Sequence, residues 1–592
     1  MYTYLTISLL IYLLSYLFYR FVSHGLGHKA EYLQMRRFIP CALLATLPCY
    51  IAGIDLLSSQ TIISLITGLF WIITYPLLYF FTYHKTSTDF GFHFDAVFGM
   101  YIISWLLSLK FLVTAFNIFP KALLLIISTI EFLIFLIPFA QWVYYYLYRS
   151  CITEDGMMMI QETHYNEIIE FFKSFSVIFN IITFSSAIIL YFAFIYSNLV
   201  YSPINLNIEQ IASLAAIFMF LSIYLWKKRK GVFVRTGIVE LYLDVKEYFK
   251  TTMLYQTNME KRIQNLQVTP SQPVFTKPST IIMVIGESAS RDYMSAFTDY
   301  PDETTPWLSE KKHDPHFILF PHSYAVVAHT VSVLERALTE FNQYNDKQFY
   351  TSCSIIDITH KAGYTTHWYS NQGHLGCADT PVTLVANTSG IAKWTKQNLN
   401  QIQYDESLLD YLDEVDPQKN NFVVIHLKGS HFNFINRYPQ SYAKFSEPGK
   451  YDLINNYIDS ITYTDSILKR IWEYGKTKLN MQAMLYFSDH ATIPDKRRSP
   501  NFDGFGALRI PMFTYFSDEY IETFPNTFKT LKKHENYYFT NDLIYDLMCG
   551  ILNIQSNHYD ERNSLASPLY QFDKDNLKVY FGQLPLQNDT SK

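Results

Sequence analysis

Two strand-like runs end in side chains suited to holding a metal ion. Met484–Phe487 leads into Ser488, Asp489 and His490, and Ile281–Ile285 leads into Gly286, Glu287 and Ser288. Carboxylate oxygens with an imidazole nitrogen match the donor preferences of zinc-type ions. In an open α/β sheet, ligands bind at the carboxyl ends of the strands, so residues distant in sequence can converge there. Taken singly, each residue has a plainer reading. Glu287 could be a surface or capping carboxylate, Asp489 and His490 a hydrogen-bonded loop pair, and Thr330 a helix cap.

The elements that must position these residues occupy only part of the chain. Its 592 residues exceed one ordinary domain, and 49% hydrophobic with 17% aromatic is rich for a soluble protein. The excess is concentrated before about residue 226, whereas beyond about residue 250 charges, Gly, Pro and short apolar stretches alternate. A membrane-spanning helix needs roughly 20 apolar residues. Candidates are Tyr2–Val22, Phe38–Leu57, Thr61–Phe81, Phe94–Phe116, Ala122–Leu147, Phe175–Val200 and Ile208–Trp226. About seven spans are expected, with five or six as alternatives because the second is the weakest and lies close to the third. The first run lacks a basic leader and is long, so it is expected to stay as an anchor. Basic residues cluster in Arg20–Arg37 and Lys227–Lys230. The positive-inside rule places both clusters in the cytoplasm, whereas seven spans with the N-terminus inside place both outside.

After the last span, Lys227 to Leu266 has the pattern of an amphipathic helix, and Val268 to Thr280 carries Pro270, Pro273 and Pro278 and reads as a linker. The chain thus divides into a helical membrane domain over 1–226, with a loop near 150–173, a connecting helix and linker over 227–280, and a soluble domain over 281–592. The soluble half alternates strand and helix patterns, which predicts an α/β domain with a mostly parallel central sheet behind an N-terminal α-helical transmembrane bundle. Expected strands are Ile281–Ile285, Thr365–Tyr369, Phe422–His426, Met484–Phe487 and Pro511–Tyr515. Expected helices are Val331–Phe341, Glu406–Leu412, Ile454–Tyr474 and Asn541–Leu552. Cys41, Cys49 and Cys151 lie in or near spans, and Cys549 lies in a helical pattern. Cys353 and Cys377 could pair in an oxidising compartment, but their spacing leaves this open. A net charge of -5 weighs against a nucleic-acid binder driven by overall basicity.

Five ordered motifs in the soluble half, GESASRDYMSAF (286–297), AHTVSVLERALT (328–339), GYTTHWYSNQG (363–373), HLKGSHFNFINRYP (426–439) and SDH (488–490), resemble those of membrane-anchored phosphoethanolamine transferases. These enzymes belong to the alkaline phosphatase and sulfatase superfamily. IPMFTYFSDEY (510–520) and YDERNSLAS (559–567) extend the resemblance over most of residues 281–567. It implies an alkaline-phosphatase/sulfatase-like domain in which Glu287, Thr330, Asp489 and His490 hold zinc and Thr330 is the nucleophile. His431 would contact the substrate phosphate or a second metal. ETHYNEIIEFF (162–172) resembles the family's periplasmic loop, which assigns Thr163 and Glu167 to the substrate side and the soluble domain to the periplasm.

The implied reaction moves phosphoethanolamine from phosphatidylethanolamine, through a phospho-threonine, to a cell-envelope glycan such as the lipid A or core of lipopolysaccharide, at the bacterial inner membrane. A lipid phosphate repels a nucleophile, so its transfer needs a cation and an activated hydroxyl. One departure stands out. Many relatives carry a histidine between SDH and the next strand, but ATIPDKRRSPNFDGFGALRIP (491–511) has none, so one zinc is expected and a second is in question. Rival readings are a phosphoglycerol transferase of the lipoteichoic acid synthase type and an inactive membrane-tethered binding protein. A sulfatase is disfavoured because the C/S-x-P-x-R motif is missing.

Overall fold

The computed structural model describes residues 2–23, 38–83, 92–152, 154–163, 168–169, 172–173, 176–228, 230–270, 272–372, 380–395, 402–447, 450, 452–496 and 504–590. They fall into two compact units. One comprises Met1–Ile160 and Phe171–Lys246, and the other Gln161–Glu170 and Glu247–Lys592.

The first unit is helical: α1 (Tyr2–Ser23), α2 (Phe38–Ala52), α3 (Ile62–Tyr83), α4 (Phe92–Phe116), α5 (Pro120–Tyr148), α6 (Glu154–Glu162), α7 (Val177–Leu199), α8 (Ile208–Trp226) and the first part of α9 (Gly237–Thr252). Each expected span is matched by a helix. Five stretches, Ile62–Thr82, His93–Phe116, Pro120–Tyr148, Val177–Leu199 and Ile208–Trp226, are long and apolar enough to cross a membrane, while Tyr2–Leu17 and Phe38–Ala52 are apolar over shorter lengths. At 1.5 Å per residue, α2 is only about 22 Å long, short of the ~30 Å hydrocarbon core. Its end is set by the turn at Gly53, whose φ is 68°.

Helix α4 is the centre of this bundle and is largely buried, whereas α7 and α8 turn apolar side chains outward. Gly68 of α3 meets Gly99 of α4 so closely that a Cβ on Gly99 would lie 2.4 Å from the Gly68 carbonyl oxygen. Small residues at such a crossing let helix backbones approach where apolar burial alone gives no drive to associate. One polar cluster inside the bundle pairs internally. Lys110 Nζ lies 2.8 and 2.9 Å from the Glu131 carboxylate oxygens, which also accept from Ser64 at 2.6 Å and Asn198 at 2.8 Å.

The second unit is built on a seven-stranded sheet of β1 (Thr280–Gly286), β2 (Phe317–Leu319), β3 (Thr365–Ser370), β4 (Ile391–Trp394), β5 (Asn421–His426), β6 (Met481–Ser488) and β7 (Met512–Phe516). Its order is β2-β7-β6-β1-β5-β3-β4. All neighbours are parallel except β7, which runs antiparallel to β6 and β2. All five expected strands are present. The edge strands β2 and β4 were not anticipated; three and four residues are too short to display an alternating pattern.

Alternate residues of β1 enter two cores. Ile281, Met283 and Ile285 pack on one side, and Ile282 and Val284 on the other. This accounts for the continuous apolar run, since a sheet covered on both faces has no polar side to alternate with. Helix α11 (Leu453–Lys478) covers the second face with Tyr463, Ile467 and Ile471, spaced four apart on one stripe. Its N-terminus is capped by Asp452, which accepts from the backbone of Ile454 and Asn455. Helix α10 (Thr330–Ala337) ends sooner than expected, because Thr339 forms a bridge with Ser354. The stretch 227–266 is helical in pieces, as Phe233–Arg235, α9, Leu254–Thr257 and Met259–Asn265.

Candidate metal centre

Neighbouring parallel strands β1 and β6 end in register at Gly286 and Ser488, so the residues that follow them emerge side by side. Glu287, Asp489 and His490 are buried there with their donor atoms within 4.8 Å of one another. His490 Nε2 lies 3.3 Å from Glu287 Oε1 and 3.4 Å from Asp489 Oδ2. The opposite ring nitrogen, Nδ1, is 2.9 Å from the Ala491 carbonyl oxygen. A carbonyl only accepts, so Nδ1 carries the proton and Nε2 turns a lone pair toward two carboxylates.

Without a cation that arrangement is electrostatically poor. Burial, and then the charge of Glu287, push the Asp489 carboxyl up to about 7. Asp489 Oδ2 is buried with no hydrogen-bond partner among the described residues. Three inward-facing donors around an orphaned oxygen therefore fit a divalent ion of the zinc class, which would neutralise both carboxylates and take the Nε2 lone pair.

Thr330 completes the group. Its Oγ1 donates to Glu287 Oε2 at 3.2 Å and lies 3.4 Å from His490 Nε2. The capping role is taken by His329, whose side chain accepts from the Ser332 backbone, and this leaves the Thr330 hydroxyl free to face the donors from the first turn of α10. The structure thus brings Glu287, Thr330, Asp489 and His490 together. His431 lies outside the donor group, half-buried on the turn after β5. Thr163 is exposed just beyond α6 and is also outside the group, and Glu167 lies outside the described residues. Cys353 is a buried free thiol, and its expected partner Cys377 lies outside the described residues.

Several residues that hold the donors carry no role in the sequence reading. Ser288 sits at φ 58°, which directs its N–H to Asp489 Oδ1 at 3.0 Å and its hydroxyl to Glu287 Oε1 at 2.6 Å. One strained residue therefore orients both carboxylates. Gln372 Nε2 donates to Glu287 Oε2 at 3.3 Å and to the Leu427 carbonyl at 2.7 Å. Asp405 accepts from the backbone of Lys428 at 2.7 Å and Gly429 at 2.9 Å, fixing the turn that leads to His431. Gly429 has φ 50°, and a Cβ there would lie 2.8 Å from the Glu287 carbonyl oxygen, so this turn seals one side of the Glu287 backbone. Ser288 and Gln372 stand inside quoted motifs, GESAS and SNQG, and that position was the available signal.

Residues 279–549 match the sulfatase family. Phosphoethanolamine transferase EptC of Escherichia coli K12 is 27% identical over 317 residues, spanning 50% of this chain and 54% of that protein. A putative phosphoethanolamine transferase of Haemophilus influenzae is 32% identical over 225 residues, 35% of this chain and 44% of that one. The chain thus spans about half the length of the curated relatives it matches. The integral membrane lipooligosaccharide phosphoethanolamine transferase A of Neisseria meningitidis shares the fold with a TM-score of 0.55. It is 16% identical and covers 88% of this chain and 98% of its own. Residues 279–549 thus carry a sulfatase-family domain, which follows a set of apolar helices in the chain, and the curated relatives that match it include phosphoethanolamine transferases.

Proposed function

We propose that the protein is a metal-dependent phosphoethanolamine transferase that takes its group from phosphatidylethanolamine and delivers it to a cell-envelope glycan of the lipopolysaccharide type. The observation that carries this reading is the Thr330 hydroxyl, released from capping and hydrogen-bonded to Glu287 at the mouth of a three-donor site. Glu287, Asp489 and His490, with Thr330, would hold the ion, which supplies charge neutralisation for the phosphate and lowers the cost of ionising the hydroxyl.

Glu287 Oε2 receives the Thr330 proton. The Thr330 oxygen then forms a bond to phosphorus as the bond from phosphorus to the diacylglycerol oxygen breaks, and that oxygen takes the proton from Glu287 and leaves as diacylglycerol. Backbone N–H groups in the first turn of α10 face the phosphate oxygens that gain charge. The acceptor oxygen next forms a bond to the phosphorus of the phosphoethanolamine ester as the Thr330 O–P bond breaks, and the acceptor's proton passes by way of Glu287 to the Thr330 oxygen, which restores the hydroxyl. His431, Thr163 and Glu167 are assigned to the substrate side by the motifs in which they stand. A lipid donor explains the apolar helices, and the motif at 162–172 supports a periplasmic catalytic domain on the bacterial inner membrane.

Labelled phosphatidylethanolamine and phosphatidylglycerol, each supplied to the purified full chain, test this reading. Thr330 is expected to acquire label from the ethanolamine lipid, and Thr330→Ala to lower transfer by ~10³-fold or more while the protein stays in the membrane fraction. Label trapped only from phosphatidylglycerol would reassign the donor. Undiminished transfer by Thr330→Ala would remove the nucleophile.

A further inference from the structure

We propose a second, separate metal site for a zinc-class divalent ion, formed by Glu340, Cys353 and His558. Their donor atoms all lie within 4.8 Å of one another, with Glu340 and Cys353 buried and His558 half-buried. None of the three belongs to the Glu287 group.

The backbone holds two of the donors face to face. Glu340 N donates to the Cys353 carbonyl at 3.0 Å, Ile355 N to the Leu338 carbonyl at 2.9 Å, and Thr339 bridges Ser354 in antiparallel fashion. This short ladder places the Glu340 side chain against Cys353, whose N–H donates to Glu340 Oε1 at 2.9 Å. The third donor arrives from a distant segment, with His558 Nδ1 at 2.8 Å from the same Oε1. The position of His558 is fixed by its own N–H, which donates to Ser556 Oγ at 3.1 Å.

One thiol, one imidazole and one carboxylate are a zinc donor set with a fourth position open. The charges balance. On binding, the Cys353 thiol gives up its proton to solvent, and its thiolate with the Glu340 carboxylate neutralises the doubly charged ion. The hydrogen bond between His558 and Glu340 is exchanged for bonds from each to the ion. Lys347 pairs with the other oxygen, Oε2; with its side chain 46% exposed, it can turn to solvent.

The consequence is mechanical. Glu340 follows the end of α10, the helix that begins with Thr330, by three residues, and His558 follows the strand Gln555–Ser556 that pairs with Val268–Thr269. The ion would fasten the trailing end of the Thr330 helix to the C-terminal loop.

Cobalt distinguishes the two sites because only this one offers sulfur. The full chain in detergent, loaded with Co²⁺, is expected to show a near-ultraviolet thiolate-to-cobalt charge-transfer band. The band should survive in Asp489→Asn and Thr330→Ala, vanish in Cys353→Ser, and need at least ~10-fold more cobalt in His558→Gln. Zinc content should fall by one ion per chain in Cys353→Ser. If that buried substitution prevents folding, the half-buried His558→Gln carries the test. The proposal is overturned if the wild type gives no band, if the band persists in Cys353→Ser, if His558→Gln binds cobalt like the wild type, or if peptide mapping finds Cys353 joined to Cys377. Failure of transfer in Thr330→Ala with the band intact concerns the catalytic reading alone.

Discussion

Asp489 carries a burden that its own substitution should expose. Its Oδ1 accepts from the backbone of Ser288 at 3.0 Å and His490 at 2.7 Å, while Oδ2 has no hydrogen-bond partner among the described residues and shares the buried centre with Glu287. In the metal-free protein two carboxylates therefore repel across a low-dielectric site. Asp489→Asn keeps the Oδ1 acceptor, removes one charge and turns an N–H donor toward His490 Nε2, which lies 3.4 Å from Oδ2. The metal-free variant is expected to be more stable than metal-free wild type by about 1–2 kcal/mol, while its zinc affinity falls at least ~100-fold. Thermal unfolding with chelator and with added zinc measures both. A variant destabilised in chelator would show that the carboxylates are not in conflict.

At the scale of elements, two contacts decide stability in a way that can be checked. At the crossing of α3 and α4, Gly99→Ala pits a gain in helix propensity of ~1 kcal/mol against a Cβ 2.4 Å from a backbone oxygen that cannot rotate away. The clash wins, and a net loss of about 1–3 kcal/mol is expected in detergent melts. At the sheet edge, His316 bridges Asp314 and Asp518, each at 2.9 Å, tying the segment before β2 to the one after β7. The hydrogen bond to Asp518 raises the His316 pKa above its usual value. The protonated ring is favoured by folding, so this stabilisation is complete below the unfolded pKa of about 6.5 and disappears as pH rises through the higher folded value. His316→Gln should flatten that slope by an amount typical of exposed pairs, ~0.5 kcal/mol. A slope unchanged by the substitution would assign it to other groups. The same scale shows what was legible in the sequence. Buried strands such as β1 and β6 announce themselves as apolar runs, and their terminal Glu287, Asp489 and His490 could be read directly because a strand's end is local information. The parts that hold them were not legible: Gln372 reaches Glu287 across β5, Ser288 matters through a positive φ, and Asp405 acts through two backbone N–H groups of a distant turn.

For the whole molecule, the distribution of core residues separates folding from access to substrate. Every residue of the two large cores flanking the sheet lies between Tyr255 and Leu586, so none is borrowed from the apolar helices. A fragment covering residues 247–592 is therefore expected to unfold in one cooperative transition and to bind zinc at the Glu287 site as tightly as the full chain does. Glu287, Thr330, Asp489 and His490 all lie within this fragment, so on the proposed reading it should cleave a small water-soluble phosphodiester of ethanolamine. On the proposed reading, transfer from phosphatidylethanolamine should differ, because helices apolar enough to cross a membrane would keep the chain where a lipid donor resides. Losing that effective concentration should lower transfer from lipid vesicles by ~10²-fold or more, leaving the soluble reaction nearly unchanged. Rates on the two substrates, measured for fragment and full chain, give the ratio. If the fragment works on vesicles as well as the full chain does, delivery of the lipid donor is not what the helices contribute. If it loses both activities while still binding zinc, residues before 247 belong to the catalytic apparatus, and Thr163, which falls in the second unit but outside the fragment, is the first place to look.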